Sequence, residues 1–174
     1  DRLGDFSGAS GDYGALLEIN PNFAWAYYYR GKAQRELKDY RASEADFSAF
    51  ILAVAENESA HYLRSNVRFL LGDYKGALSD LSKTIALNPR NGLAYSNRGQ
   101  TLALMGDKSG ALADLHKALE LDPTRRDKIQ SAIDGLEAKE TVSSAQAAEV
   151  EPAQAEQAPA KASTGGDGPL FIED

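Results

Sequence analysis

The chain has 174 residues, of which 43% are hydrophobic and 26% charged; its net charge is −7 and it has no cysteine. That length suits one modest globular unit, and the missing cysteine excludes a disulfide framework, thiol chemistry and cysteine-held metal. The acidity is uneven: residues 1–140 hold 18 Lys+Arg against 20 Asp+Glu, whereas 141–174 hold Lys161 alone against six acids. Such a near-neutral body with an acidic tail lacks the basic footprint of a nucleic-acid binder. The longest apolar run, "AFILAVA" at 49–55, is far short of the ~20 residues a membrane helix needs. No signal peptide is visible and the sequence starts at Asp1 rather than Met, so an N-terminal portion is expected to be missing. Nothing marks a compartment, which leaves a soluble, cytoplasmic protein as the default.

The phrases "LGDF" at 3–6, "LKDY" at 37–40, "LGDY" at 71–74 and "MGDK" at 105–108 recur every 34 residues. Residues 1–23 read as the second helix of a pair whose first helix is absent. Leu16, Leu17 and Ile19 are expected to bare an apolar face at this edge, a candidate for self-association through 1–23. The chain is thus expected to be cut from a longer array or processed at its N-terminus.

Three complete periods follow at 24–57, 58–91 and 92–125, each reading as two helices. Gly72 and Gly106 can take the left-handed conformation that closes the first helix, and Asp73 and Asp107 can cap the second. Lys38 stands in the glycine slot of the first full period, so its turn carries strain or uses another geometry. The second helices end at Asn-Pro or Asp-Pro, because the residue before proline is pushed out of the helical region. Ala55 replaces that proline, so the second helix of 24–57 is expected to run on towards Asn57. Phe50 replaces Thr84 and Ala118 of the later periods, which predicts a wider or rotated joint there.

Gly31, Ser65 and Gly99 mark where the first helix of each pair meets Ser43, Ala77 and Ala111 on the second, since close crossings need small side chains. Phe47, Leu81 and Leu115 fill the core beside Tyr27 and Tyr95. Arg30, Arg64 and Arg98 each precede an acid by 16 residues (Asp46, Asp80, Asp114) and read as ion pairs within a hairpin.

Beyond Pro123, Thr124 with Asp127 suggests a capping box, and Ile129, Ile133 and Leu136 form an apolar stripe. A closing, solvating helix is expected over 125–140. From 141 the composition turns to Ala, Glu, Gln, Pro, Ser and Gly. That mixture cannot bury enough apolar surface to offset chain entropy, so an acidic Ala/Glu/Pro-rich tail without structure is expected over 141–174. Leu170 to Asp174 reads as a short binding motif or a frayed end.

The 34-residue period, with Ala26, Ala60 and Ala94 in one register and Pro21, Pro89 and Pro123 in another, resembles the tetratricopeptide repeat family. The resemblance covers about 1–125. It implies an all-α fold: a right-handed superhelical array of antiparallel helix pairs, an α-solenoid, closed by the C-terminal capping helix. It also implies a concave groove, lined by first helices, that holds a peptide or helix of a partner protein. The positions that would face it are Trp25, Tyr28, Lys32 and Arg35, then Ser59, Tyr62, Asn66 and Phe69, then Leu93, Ser96, Asn97 and Gln100. Trp25 divides evenly between the groove and packing on 1–23. The family's carboxylate clamp for chaperone tails would need Tyr28, Lys32, Leu63, Leu93 and Asn97; only Lys32 suits it, so that mode is not expected.

No constellation suggests catalysis. His61 and His116 are 55 residues apart without ligand spacing, and "GASG" and "GGDG" lack the flanks of a nucleophile elbow or phosphate loop. Neither a metal nor a cofactor is expected. The expected function is a non-catalytic interaction scaffold. The alternatives are the repeat region of a larger enzyme or regulator whose working domain is missing, and a self-association module.

Overall fold

The computed structural model describes residues 4–150, with side chains to Ala138. Among the described residues there are eight α-helices, one short 3-10 turn and no strand. The helices are α1 Phe6–Ile19, α2 Ala24–Glu36, α3 Tyr40–Ala53, α4 Glu58–Leu70, α5 Tyr74–Leu87, α6 Gly92–Leu104, α7 Lys108–Leu121 and α8 Arg126–Val150; the turn is Pro123–Arg125. Each helix from α1 to α7 packs on the next in sequence. α2 and α3, α4 and α5, and α6 and α7 form successive hairpins of one α-solenoid. Because no single hairpin buries its apolar face alone, stacking supplies the stability.

The repeated phrase is the punctuation of these hairpins. Asp5, Asp39, Asp73 and Asp107 each accept a hydrogen bond from the backbone N–H three residues on, at 2.7, 3.2, 2.9 and 2.9 Å. Each carboxylate thereby satisfies a donor that the first helical turn leaves unpaired. The preceding residue is left-handed in the three hairpin turns: Gly72 at φ 80°, Gly106 at φ 86° and Lys38 at φ 64°. Lys38 therefore keeps the glycine geometry rather than finding another, and carries the strain of a Cβ in that region.

Two expectations change. α3 ends at Ala53 and does not run on towards Asn57, although no proline stops it. Val54 adopts φ −135° and ψ 72°, close to Asn88 and Asp122 at the ends of α5 and α7. Asn57 begins the next helix, its side chain accepting from the Ala60 N–H at 2.9 Å. Capping of α4 thus ends α3 without help from Pro. Likewise Thr124 does not cap the last helix. It sits inside the 3-10 turn, and Asp122 accepts from its backbone N–H at 3.2 Å and from its hydroxyl.

The core runs as a line of buried side chains: Phe47 and Phe50 in the first hairpin, Val67 and Leu81 in the second, Leu115 and Ala118 in the third. Ile129 and Ile133 of α8 close it, packing with Leu115 and Ala118 and with the partly buried Tyr95, Leu112 and Leu136. Burying each isoleucine contributes roughly 1.5–3 kcal/mol, and the two together cover the outer face of the third hairpin. Gly99 is required at its crossing, since a Cβ there would lie 3.0 Å from the Ala111 carbonyl oxygen and from Leu115.

The chain divides after Glu137 into two units. α8 continues to Val150, beyond the expected end at 140. The stretch "TVSSAQAAEV" still carries helix-favouring Ala, Gln and Glu, and the first proline past it is Pro152, whose predecessor is biased out of the helix. The expected acidic tail beyond Val150, including Leu170 to Asp174, lies outside the described residues.

Candidate protein-binding surface

The sequence-expected positions fall on α2, α4 and α6, the first helices of the three hairpins. On α2 they form an aromatic cluster. Trp25 is 43% exposed and lies with its ring 4.9 Å from Phe50 and 5.5 Å from Tyr28; Tyr28 in turn lies 5.1 Å from Phe50 and 5.3 Å from Tyr29. Offset and edge contacts at such distances favour aromatic pairs beyond simple burial. Phe50 is therefore the buried floor on which Trp25 and Tyr28 rest. Its bulk is matched by α2 aromatics at a place where the later hairpins carry Thr84 and Ala118. Lys32 stands over this group, its ammonium 5.8 Å from the Tyr28 ring and 5.9 Å from Tyr29. Arg35 pairs with Glu36 and is not a free cation of the groove. Burial pushes the Tyr28 phenol above its ordinary value, the neighbouring Tyr29 adds to this, and Ser59 and Arg35 act the other way.

Between α4 and α6 the surface is different. Asn97 donates through Nδ2 to Asn66 Oδ1 at 2.9 Å and to the Tyr62 hydroxyl at 3.2 Å. Gln100 donates to Ser96 Oγ at 3.2 Å, and Ser96 itself is buried, so Gln100 rather than Ser96 meets solvent. Beside this amide pair opens a pocket of about 220 Å³, lined by Asn66, Phe69, Leu70, Asn97, Gln100 and Thr101, with Ser65 and Leu81 completing it. Its walls are mainly apolar and its rim carries amides. Phe69 is braced by Tyr74 at 5.5 Å. Sequence reading missed Leu70, Thr101 and Tyr29. Tyr29 was open to discovery, since it stands two periods before Asn97.

The arginines do not face a ligand. Each makes two hydrogen bonds to its acid: Arg30 to Asp46 at 2.7 and 2.7 Å, Arg64 to Asp80 at 2.9 and 2.7 Å, Arg98 to Asp114 at 2.6 and 2.8 Å. Those hydrogen bonds hold the Arg30 and Arg98 guanidinium groups charged, raising them above the ordinary value against the opposing effect of burial. Their third arm reaches back one hairpin: Arg64 donates to Ser48 at 3.1 Å and Arg98 to Ser82 at 3.3 Å. The ion pair within a hairpin is therefore also a tie between hairpins. The middle hairpin elaborates it. Asp80, 2% exposed, also receives Arg68 at 3.0 Å and lies 3.2 Å from His61 Nδ1; Arg68 bridges on to Glu44, and His61 Nε2 lies 2.8 Å from the Ala55 carbonyl oxygen. His61 is thus a structural residue, placed where Tyr27 and Tyr95 stand in the other hairpins. Among the described residues no cluster of three or more His, Asp or Glu could hold a metal ion, and no helix is long and apolar enough to cross a membrane.

The geometry defines an α-solenoid of helix hairpins. Residues 92–125 match the tetratricopeptide repeat family, and comparison with curated proteins finds no match. Among solved structures, MamA protein superposes with a TM-score of 0.73 at 23% identity, covering 91% of this chain and 90% of that one. YrrB, described as a TPR protein with an unusual peptide-binding site, gives 0.72 at 25% identity over 80% of this chain and 71% of its own. The first TPR of Spaghetti (RPAP3), bound to the HSP90 peptide SRMEEVD, gives 0.64 at 21% identity over 68% and 93%. Residues 92–125 are thus matched as a tetratricopeptide repeat, and the array around them shares the fold of these solved structures.

Proposed function

We propose that the chain is a non-catalytic scaffold that holds a peptide or helix of a partner protein across α2, α4 and α6. The observation that carries this is the pocket between α4 and α6, an apolar hollow rimmed by the Asn66–Asn97 amide pair. An apolar side chain can fill such a hollow, and Asn side chains can bond peptide backbone whatever its sequence. The exposed Trp25, Tyr28 and Lys32 add an aromatic and cationic shoulder, and aromatic anchors dominate interface energies. Two of the structural neighbours are described with a peptide or a peptide-binding site, which favours this class of partner.

Display of random peptides against the 174-residue chain tests the reading. Selected peptides should share one bulky apolar anchor and lose binding to Tyr62→Ala/Asn97→Ala, with helical circular dichroism unchanged. Changes at the exposed Arg41 and Lys75, on α3 and α5, should leave binding intact. Loss of binding on Arg41→Ala/Lys75→Ala alone would move the interface to the opposite helices and overturn the proposal. SRMEEVD should not bind, since Tyr28 and Leu93 occupy the slots a clamp would need.

A further inference from the structure

Eleven large apolar side chains are exposed among the described residues, and five of them gather on one edge of the array. Leu37, Leu71 and Met105 close α2, α4 and α6, one period apart, and Leu70 and Leu104 directly precede two of them. Leu37, Leu70 and Leu104 are 47%, 54% and 60% exposed. All five stand beside the three hairpin turns, whose backbones share one geometry, so the turns repeat as a row of apices. Apolar residues scattered singly on a surface need no explanation. A contiguous apolar patch does, because it marks a surface that something covers.

A second observation says what chemistry would cover it. The unengaged charges beside this row are cationic. Lys38, Arg41 and Lys75 are exposed and pair with no acid among the described residues. The acids of the same edge are engaged: Asp39, Asp73 and Asp107 accept backbone N–H groups as helix caps, Glu36 holds Arg35 and Glu44 holds Arg68. The edge thus offers apolar side chains fringed by free cations, although the chain as a whole carries −7. A second copy of this chain is a poor occupant, because turn against turn would bring Lys38, Arg41 and Lys75 against the same cations. A rigid protein surface would need a hole for each projecting side chain, whereas a bilayer accepts them without one.

We propose that this edge is a docking surface for an anionic bilayer, on which the array rests without crossing it. Leu37, Leu70, Leu71, Leu104 and Met105 enter the boundary between headgroups and acyl chains, and Lys38, Arg41 and Lys75 meet the lipid phosphates. Such binding draws on buried apolar area and on the attraction of Lys and Arg to anionic lipid. The surface shares only Leu70 with the α4–α6 pocket.

The probe is a vesicle of phosphatidylcholine and phosphatidylglycerol in equal parts, with pure phosphatidylcholine for comparison. In sedimentation, the full 174-residue chain should bind the anionic vesicles roughly tenfold or more tightly than the neutral ones, and release them as salt rises. Bulk charge would repel the chain, so binding requires the oriented edge. Arg41→Glu/Lys75→Glu and Leu37→Ser/Leu104→Ser should each weaken binding roughly tenfold or more. These residues are exposed, so the variants should fold; circular dichroism verifies it. The chain has no cysteine, so a polarity-sensitive dye can be placed through Met105→Cys. Its emission should move to the blue on the anionic vesicles, and the same dye placed through Glu120→Cys, at the far end of α7, should not respond. Tyr62→Ala/Asn97→Ala should leave vesicle binding intact. The proposal is overturned if the chain does not bind the anionic vesicles, if either pair of edge changes leaves binding as it was, if the dye at 120 responds in place of that at 105, or if Tyr62→Ala/Asn97→Ala abolishes binding. It is equally overturned if light scattering shows a dimer that Leu37→Ser/Leu104→Ser abolishes, or if the dye at 105 responds to a display-selected peptide and not to vesicles, which would make the partner of this edge a protein.

Discussion

Lys38 offers a direct test of how the hairpin turn is built. It stands at φ 64° where the equivalent turns have Gly72 at 80° and Gly106 at 86°. A Cβ in the left-handed region costs about 1–2 kcal/mol. The turn's backbone bonds are the same in all three cases. The residue in question donates to the carbonyl three before it, at 3.0, 3.0 and 3.2 Å, and the next N–H reaches five back, at 2.9 Å in each. Lys38 is exposed and its side chain makes no ion pair. Lys38→Gly therefore removes strain and no contact. Part of the gain is offset by the greater freedom of glycine in the unfolded chain, roughly 0.5–1 kcal/mol. The net expectation is a stabilisation of about 0.5–1 kcal/mol, or ~1–4 °C in melting temperature for a unit of this size. Urea unfolding followed by circular dichroism measures it, with Gly106→Lys as the reverse change, expected by the same balance to lose about 0.5–1 kcal/mol. Neutral or destabilised Lys38→Gly beside a destabilised Gly106→Lys would refute the strain argument and show that the lysine stem contributes to the turn.

Phe50→Ala should cost about 3–5 kcal/mol, the range for a fully buried phenylalanine, and should alter the fluorescence of Trp25, which lies 4.9 Å away; a gain in stability would show overpacking. Asp80→Asn should destabilise more than Asp114→Asn in the same assay, because two arginines bond Asp80 and one bonds Asp114, and removing one member of a buried pair costs on the order of 3–5 kcal/mol; equal losses would mean that Arg68 is content with Glu44 alone. The Tyr28 phenol, raised by burial, stays protonated in the fold after the unfolded chain has begun to ionise near pH 10. Its contribution is therefore complete below that pH and lost as pH climbs through the folded value, so Tyr28→Phe should show a shallower alkaline fall in unfolding midpoint than the parent.

Much of the fold was legible because a 34-residue period forces chemistry to recur. The aspartate caps, the two glycine turns and the Arg–Asp pairs are local or of fixed spacing, and a repeat places them together without knowledge of the rest. What escaped was what depends on neighbours across hairpins. Val54 turns without proline because Asn57 caps the next helix, a competition that the missing Pro at Ala55 disguised. Of the three residues expected to be bare on α1, Ile19 is 84% exposed and Leu16 partly so, whereas Leu17 packs inward and is buried. The groove positions could be assigned to the right helices by period alone, but the pairing of Arg35 with Glu36, the burial of Ser96 and the hydrogen bond from Asn97 to Asn66 need coordinates. Phe50 stands where the later periods have Thr84 and Ala118. It is the floor under Trp25 and Tyr28, a contact between helices that the period of either helix alone does not reveal.

The central claim is that the surface of α4 and α6 binds a partner segment, and the side-chain amides there report on it directly. In a nitrogen-15 correlation spectrum of the full chain titrated with a display-selected peptide, the NH2 resonances of Asn66, Asn97 and Gln100 should shift first and most. Those of Asn22 and Gln130, away from the pocket, should stay in place. Shifts concentrated instead in the backbone amides of α3, α5 and α7, with the Asn66 and Asn97 side chains unmoved, would contradict the account.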